Sequence, residues 1–138
     1  MNDTQRSELA PHLRTGKRGE ELAAQYLEKK GWAVESRNFD AEVGEIDIVA
    51  IRPVEGGTLV AMVEVKSRKA GSRSRAPLSL SVTASKRRKV IRAARVYADR
   101  YGSSKRSYRF DVITVDFNGD PPTIEHFEGA FDASGKPY

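Results

Sequence analysis

Residues 44–66, GEIDIVAIRPVEGGTLVAMVEVK, decide the fold, because acidic residues and a lysine interrupt two otherwise apolar runs there. The runs 45–51 and 59–66 are short and rich in β-branched residues, and Pro53 and Gly56 lie between them. This pattern predicts the two strands of a β-hairpin. Because both strands carry apolar residues on both faces, we expect them in the middle of a sheet.

The polar exceptions in these strands are Asp47, Glu64 and Lys66. Strand alternation puts Asp47 on the face of Val49, and it makes Glu64 and Lys66 project together. A carboxylate in a buried strand is strongly disfavoured unless it is paired or binds a metal. Two carboxylates on adjacent strands supply the oxygen ligands that Mg²⁺ prefers, and a nearby lysine can orient or deprotonate an attacking water. The alternative is an ordinary ion pair between Glu64 and Lys66, with Asp47 in solvent.

The composition favours one domain without cysteine chemistry. The 138 residues suffice for one core and not for two. There is no cysteine, and His12 and His126 lack the spacing of a histidine-based metal centre, so any metal should be bound by oxygen. No apolar run approaches the roughly 20 residues of a membrane span, and the N-terminus is not signal-like. We therefore expect a soluble, cytoplasmic protein without a membrane partner.

Positive charge is concentrated in one part of the chain. The formal net charge is +5, but residues 66–109 hold 15 Lys and Arg and a single acid, Asp99. This asymmetry indicates a polyanionic partner, and nucleic acid is favoured over a membrane because no helix shows the broad apolar face that inserts into lipid. The alternative is that these residues only keep the protein soluble. The residues assigned to nucleic-acid binding are Arg68, Lys69, Lys86, Arg87, Arg88, Lys89 and Arg92.

A first helix is predicted over residues 15–30, with Thr15 as its N-cap and Gly31 after its end. Glu20 shares the side of the apolar stripe, whereas Glu21 lies on the solvent side. Glu20 is therefore a candidate for the acidic site, although a favourable position near a helix N-terminus explains it equally well.

Gly16 and Gly19 lower the helix propensity of this segment. Close approach of the helix to the sheet or to a phosphate would explain them, because glycine has no Cβ.

The later elements are predicted from similar patterns. Residues 32–39 alternate as a half-exposed strand does, with Trp32 in the core. The basic loop over residues 67–81 could close over a substrate or be disordered filler. A structural role is expected for His126. The remaining elements are a helix and two strands, over residues 83–101, 108–117 and 123–127.

This order of elements predicts an α/β fold in which helices flank a mixed sheet. The predicted boundaries are a mobile N-terminal tail over residues 1–14, a single domain over 15–132 and a C-terminal tail over 133–138.

The αβββαβ order, with a helix glutamate, a strand aspartate and E-x-K closing the third strand, resembles the restriction-endonuclease-like superfamily of PD-(D/E)xK nucleases. Five segments in the same order are similar to the YraN family of bacterial proteins, from about residue 16 to residue 132. The first half also resembles the archaeal Holliday-junction resolvases. The five segments are GKRGEELAAQYLEKKGW, GEIDIVA, VEVKSR, KRRKVIRAARVYA and RFDVITV.

The resemblance implies an endonuclease that uses Mg²⁺, or alternatively Mn²⁺, to hydrolyse phosphodiester bonds in DNA, including branched DNA, in recombination or repair. Asp47, Glu64 and the Val65 carbonyl would hold the metal, Lys66 would position the water, and Glu20 would complete the acidic cluster. Two rival hypotheses are a non-catalytic nucleic-acid-binding module with the same fold and a protein-interaction scaffold. Resolvase relatives act as dimers, which leaves a homodimer open.

Overall fold

The computed structural model describes residues 11–137 of the chain. Within this range, the elements follow the predicted order of one helix, three strands, one helix and two strands. None of these helices has both the length and the apolarity needed to cross a membrane. The elements are α1 (Pro11–Lys29), β1 (Ala33–Asp40), β2 (Glu45–Val54), β3 (Gly57–Arg68), a 3₁₀ turn (Leu78–Ser81), α2 (Ala84–Tyr101), β4 (Arg106–Asp116) and β5 (Thr123–Phe131).

The strands form one mixed sheet in the spatial order β1, β2, β3, β4, β5. Strands β3 and β4 are parallel, and the other neighbouring pairs are antiparallel. A parallel pair needs a crossover connection, and α2 supplies it between β3 and β4. This architecture confirms the predicted α/β class and the mixed sheet flanked by helices.

The β2–β3 hairpin is present as predicted. Its pairing runs from Val54 and Gly57 at the turn to Ile48 and Val63 at the far end. Gly56 has a φ of 81°, a left-handed conformation that glycine adopts without steric cost and that tight hairpin turns require. With β2 on one side and β4 on the other, β3 is the central strand of the sheet.

Each helix covers one face of the sheet. Helix α1 buries Ala23 and Leu27 in one core cluster together with Trp32, which confirms the predicted core position of this tryptophan. Burial of one large apolar side chain contributes about 1.5–3 kcal/mol, so a few such residues hold a helix onto the sheet. Helix α2 packs in the second cluster through Val90, Ile91, Ala93, Ala94 and Tyr97.

Helix α1 is longer at its N-terminal side than the sequence pattern predicts. Residues 11–14, which that pattern assigns to a tail, are helical, so Thr15 lies inside the helix and is not its N-cap. Threonine is a frequent N-cap but is also tolerated in helix interiors, which is why the boundary was misplaced. The rest of the predicted N-terminal tail, residues 1–10, and the last residue of the predicted C-terminal tail, residue 138, lie outside the described residues.

The segment predicted as a C-terminal tail, residues 133–138, folds back in a turn over its described part. The Asp132 carboxylate accepts a hydrogen bond of 3.1 Å from the backbone N–H of Lys136. The Nε atom of Arg87 donates to the carbonyl of Gly135 at 2.7 Å. The first bond closes the turn, and the second attaches it to α2.

Candidate active site

Strands β2 and β3 separate at Asp47, one residue beyond their last paired residues, Ile48 and Val63. Ile46 packs in the core cluster under α2, whereas Ile48 packs in the cluster under α1. Residues two apart share a face in a regular strand, so the alternation of β2 is interrupted between Ile46 and Ile48. In this fork, the Oδ2 atom of Asp47 accepts a hydrogen bond of 2.8 Å from the backbone N–H of Val65.

Glu64 is the most deeply buried acid of the fork. It is 2% exposed and follows Val60 and Met62 on the same face of β3. Burial and the charge of Asp47 raise the pKa of Glu64 to about 8. Its Oε2 atom has no hydrogen-bond partner among the described residues. A buried carboxylate oxygen without a donor is unfavourable, and a nearby cation would relieve it.

Lys86, in the first turn of α2, places its Nζ atom 3.4 Å from Oε1 of Glu64. Burial by itself lowers the pKa of Lys86, but the charges of Glu64 and Asp47 outweigh burial and raise that pKa above its usual value. The sequence pattern predicts Lys86 only as a nucleic-acid contact and misses this ion pair. The signal was its position four residues before the buried Val90, which puts Lys86 on the inward side of the helix.

Glu20 reaches the same region from α1. Burial raises the pKa of Glu20, and the charge of Asp47 raises it further. Its Oε2 atom is buried without a hydrogen-bond partner in the described part of the chain. Glu21, by contrast, is exposed and pairs with Arg37 at 3.0 Å. The helix therefore presents its two glutamates as predicted, with Glu20 toward the sheet and Glu21 toward solvent.

The four predicted catalytic residues line one cavity of about 350 Å³. The acids come from α1, β2 and β3, and Lys66 follows Glu64 by two positions on β3. Lys69, an exposed residue of the loop that follows β3, also lines the cavity. Its lining residues are Thr15, Gly16, Glu20, Asp47, Glu64, Val65, Lys66, Ser67, Lys69 and Lys86.

The carboxylates are suited to a divalent cation only in part. Among residues 13–137, no three Asp, Glu or His side chains are arranged so that they could hold a metal ion by themselves. The charge of Asp47 acts on both Glu20 and Glu64, and the three carboxylates line the same cavity. That Glu20 completes an acidic cluster around an ion stays a prediction. Asp47, Glu64 and the Val65 carbonyl remain as a set of hard oxygen donors, and the unpartnered Oε2 of Glu64 fits such an ion.

Gly19 sets the approach of α1 to the site. A Cβ atom at Gly19 would lie 1.8 Å from Oγ of Ser67, the residue that follows Lys66. The predicted close approach of helix and sheet is therefore present at Gly19. At Gly16, which borders the cavity, an added Cβ would meet nothing within 4 Å.

Besides Lys86, two of the residues predicted to bind nucleic acid are engaged within the protein. Arg68 is 13% exposed, and its Nη1 lies 3.2 Å from Oδ2 of Asp116. Arg87 donates from Nη1 to the carbonyl of Val82 at 2.7 Å, in addition to its bond with the C-terminal turn. A phosphate contact at Arg68 or Arg87 would require these bonds to break.

The other predicted nucleic-acid contacts have a different environment. Lys69, in the loop after β3, is exposed, and so are the three that lie on α2, namely Arg88, Lys89 and Arg92. These three follow Lys86, whose side chain lines the cavity. A basic surface therefore begins at the rim of the cavity and continues along one helix.

The basic loop is attached to the turn after β4. The backbone N–H of Gly71 donates to Oδ1 of Asn118 at 2.8 Å, and Nδ2 of Asn118 donates to the carbonyl of Ser72 at 3.2 Å. Arg68 also donates to the carbonyl of Ala76. This anchoring does not match the alternative in which the loop is disordered filler.

A second buried charge cluster lies on β4 and β5. Asp111 is fully buried and accepts hydrogen bonds from Nε of Arg109 at 2.8 Å and from the backbone N–H of Gly129 at 3.0 Å, and its Oδ2 lies 2.8 Å from Nε2 of His126. Burial alone would raise the pKa of Asp111, but the bonds from His126 and Arg109 hold it below its usual value. This network supports the expected structural role of His126.

The sequence pattern of the uncharacterised protein family UPF0102 matches residues 19–115, a range that runs from the glycine next to Glu20 to the buried end of β4. The chain belongs to the UPF0102 family. The match includes all four residues that line the cavity with predicted catalytic roles.

Relatives in the family are similar over most of their length. The chain is 41% identical to a UPF0102 protein of Myxococcus xanthus over 118 residues, which cover 86% of this chain and 89% of the relative. It is 39% identical to a UPF0102 protein of Geobacter metallireducens over 117 residues, which cover 85% of this chain and 91% of the relative. The resemblance to YraN-like proteins is confirmed at this level. Membership of UPF0102 shows that these proteins are related. The activity has to be inferred from the chemistry of the site.

Proposed function

We propose that this UPF0102 protein is a Mg²⁺-dependent endonuclease with a restriction-endonuclease-like core, which hydrolyses phosphodiester bonds in DNA. The observation that carries the proposal is the environment of Glu64. Its carboxylate is 2% exposed, lies beside Asp47 at the fork of the hairpin, and keeps one oxygen without a donor. A structural acid in a core would have its oxygens hydrogen-bonded, as those of Asp111 are.

We assign three roles to the residues that line the cavity. Asp47, Glu64 and the Val65 carbonyl would hold Mg²⁺, or Mn²⁺ in its place. When bound, the cation would polarise a phosphoryl oxygen and lower the pKa of a bound water. Lys66 would orient the attacking water and offset the charge of the phosphate. Glu20, from α1, would complete the acidic cluster beside Asp47 and Glu64.

DNA is favoured as the substrate by the basic surface. Lys69 lies at the rim of the cavity, and the exposed cations of α2 continue from it. Phosphate contacts position a nucleic acid without reading its sequence, which is what lysine and arginine side chains on one helix face can provide. By similarity to the resolvases, we propose branched DNA as the preferred form, a role in recombination or repair in the cytoplasm, and a homodimer that cuts two strands.

A second candidate is a nucleic-acid-binding protein without turnover. One observation favours it, because the Lys86 ammonium already neutralises part of the Glu64 charge. A binder would need no cation at the fork, and it would retain affinity for DNA after Asp47 is replaced.

The decisive experiment incubates linear, nicked, flapped and four-way DNA with the full chain, with and without Mg²⁺. Wild type is compared with Asp47→Asn and Lys66→Ala, and with Glu21→Gln as a matched control, since Glu21 is an exposed acid next to Glu20. We expect metal-dependent cleavage that both site variants lose and the control keeps. Cleavage by Asp47→Asn at the wild-type rate would reject this site, and binding without cleavage of any substrate would favour the second candidate.

A further inference from the structure

Lys86 places its ammonium beside the buried carboxylate of Glu64. Its Nζ lies 3.4 Å from Oε1 of Glu64, and the charge of Asp47 also acts on it. A buried carboxylate that loses its counter-ion is strongly unfavourable. The ammonium therefore favours the ionised form of Glu64, while burial and the charge of Asp47 favour the neutral acid.

The Lys86 side chain is far more exposed than the carboxylate with which it pairs. The Lys86 side chain is 38% exposed, whereas the Glu64 side chain is 2% exposed. Lysine carries its charge on a flexible four-carbon stem, and within the described part of the chain the Nζ atom of Lys86 forms no ion pair other than the one with Glu64. The cation can therefore swing into the open cavity while Glu64 stays in place.

A divalent ion held by Asp47 and Glu64 would be repelled by the ammonium of Lys86. Two like unit charges about 4 Å apart interact by about 4 kcal/mol at an effective dielectric constant of 20, and a divalent ion doubles the charge product. Both cations cannot occupy the Glu64 oxygens at this separation without a large penalty.

We propose that Lys86 is an internal counter-ion that holds Glu64 in its ligand position in the metal-free protein and is displaced when a divalent cation binds. This inference rests on the proposed metal site and adds a regulatory element to it. The Lys86 contact stabilises the empty site and weakens metal binding, so occupancy of the site follows the concentration of the free ion. Displacement also frees one positive charge inside the cavity, next to where a phosphate would bind.

The test is the affinity for Mn²⁺ alone, measured without DNA by the electron paramagnetic resonance signal of the free ion. Lys86→Met is compared with wild type and with Lys105→Met, which removes the same charge from an exposed lysine near the opposite end of β3. We expect Lys86→Met to bind Mn²⁺ on the order of tenfold more tightly, because a competing cation is gone, and Lys105→Met to bind as wild type does.

A second measurement guards against a variant that is merely poorly folded. Without metal, Lys86→Met should have a lower melting temperature than wild type, and this loss should vanish when Glu64→Gln is present in both proteins. If Lys86→Met binds Mn²⁺ no more tightly than wild type does, or if its loss of stability persists beside Glu64→Gln, the counter-ion role is wrong. If wild type and all variants fail to bind Mn²⁺, the metal site and the proposed function fail together. Mn²⁺ binding that is tightened in Lys86→Met, without cleavage of DNA, would support the counter-ion role and reject only the nuclease.

Discussion

The carboxylate of Asp47 accepts a hydrogen bond of 2.8 Å from the backbone N–H of Val65, across the gap where β2 and β3 have stopped pairing. One side-chain oxygen thus replaces a ladder bond and keeps the strands in register while they diverge. The contact links the fold to the site, because it orients Asp47 and fixes the peptide next to Glu64.

Because of this bond, replacing Asp47 can affect both the stability of the fold and the chemistry of the site, and two variants distinguish these effects. Asp47→Asn keeps an oxygen acceptor for Val65, whereas Asp47→Ala leaves a partly buried N–H without its partner. We expect Asp47→Ala to lower the free energy of unfolding by about 1–3 kcal/mol more than Asp47→Asn does. Urea unfolding of both variants in metal-free buffer measures the difference. Equal stabilities would mean that water replaces the carboxylate at Val65.

Stability should depend on pH through Glu64. Its pKa is about 8 in the folded protein against 4.5 for an ordinary glutamate. Between these values the folded protein holds a proton that the unfolded chain has lost, so the free energy of unfolding falls as pH rises, by at most about 1.4 kcal/mol per pH unit. Above pH 8 this contribution levels off.

The variant Glu64→Gln isolates that contribution, because the other titrating groups are common to both proteins. We expect the difference in unfolding free energy between wild type and Glu64→Gln to slope from pH 5 to pH 8, with chelator present. A difference that stays constant over that range would show that Glu64 is ionised in the folded protein throughout.

The two glycines of α1 should respond oppositely to alanine. Gly19→Ala places a methyl group against Ser67, which we expect to destabilise the protein by about 1–3 kcal/mol. Gly16→Ala meets open space and should stabilise the helix by about 0.5–1 kcal/mol. Thermal unfolding compares the two, and Ser67→Ala should recover part of the Gly19→Ala loss. Stabilisation by Gly19→Ala would contradict the close approach of α1 to β3.

The Asp111 cluster should matter for stability and not for chemistry. Asp111→Asn leaves Arg109 and His126 partly buried without their anion, so we expect a loss of about 3–5 kcal/mol. Asp116→Asn, which breaks the more exposed pair with Arg68, should lose at most about 1 kcal/mol. Chemical unfolding at neutral pH gives both values, and a small loss for Asp111→Asn would show that its network is dispensable.

The basic surface predicts a salt-dependent affinity for DNA. Removing two cations of α2, with Lys89→Gln and Arg92→Gln, should weaken binding and reduce the slope of log affinity against log salt by about 0.9 for each lost phosphate contact. The control removes Lys29 and Lys30 at the end of α1, on the other face of the sheet. Fluorescence anisotropy over a range of salt measures the slopes. Binding that is insensitive to salt in wild type would favour the protein-interaction scaffold.

Strand patterns predicted the hairpin with Asp47, Glu64 and Lys66, because apolar alternation and turn residues are local signals. The helix pattern misplaced the start of α1 at Thr15. The charge pattern assigned Lys86, Arg68 and Arg87 to one nucleic-acid-binding surface. A run of cations looks uniform in sequence, and its members are distinguished only by which acceptors lie opposite them.

The sequence by itself determined that a central hairpin would carry two acids and a lysine, because buried strands tolerate such residues only for a reason. It also determined the concentration of positive charge between β3 and β4, which depends on composition alone. Only the tertiary structure decided that Glu20 reaches the same cavity from a different element, and that Lys86 is paired with Glu64 while Arg88 remains exposed. Those outcomes depend on how α1 and α2 pack on opposite faces of one sheet, and packing brings together residues that are far apart in the chain.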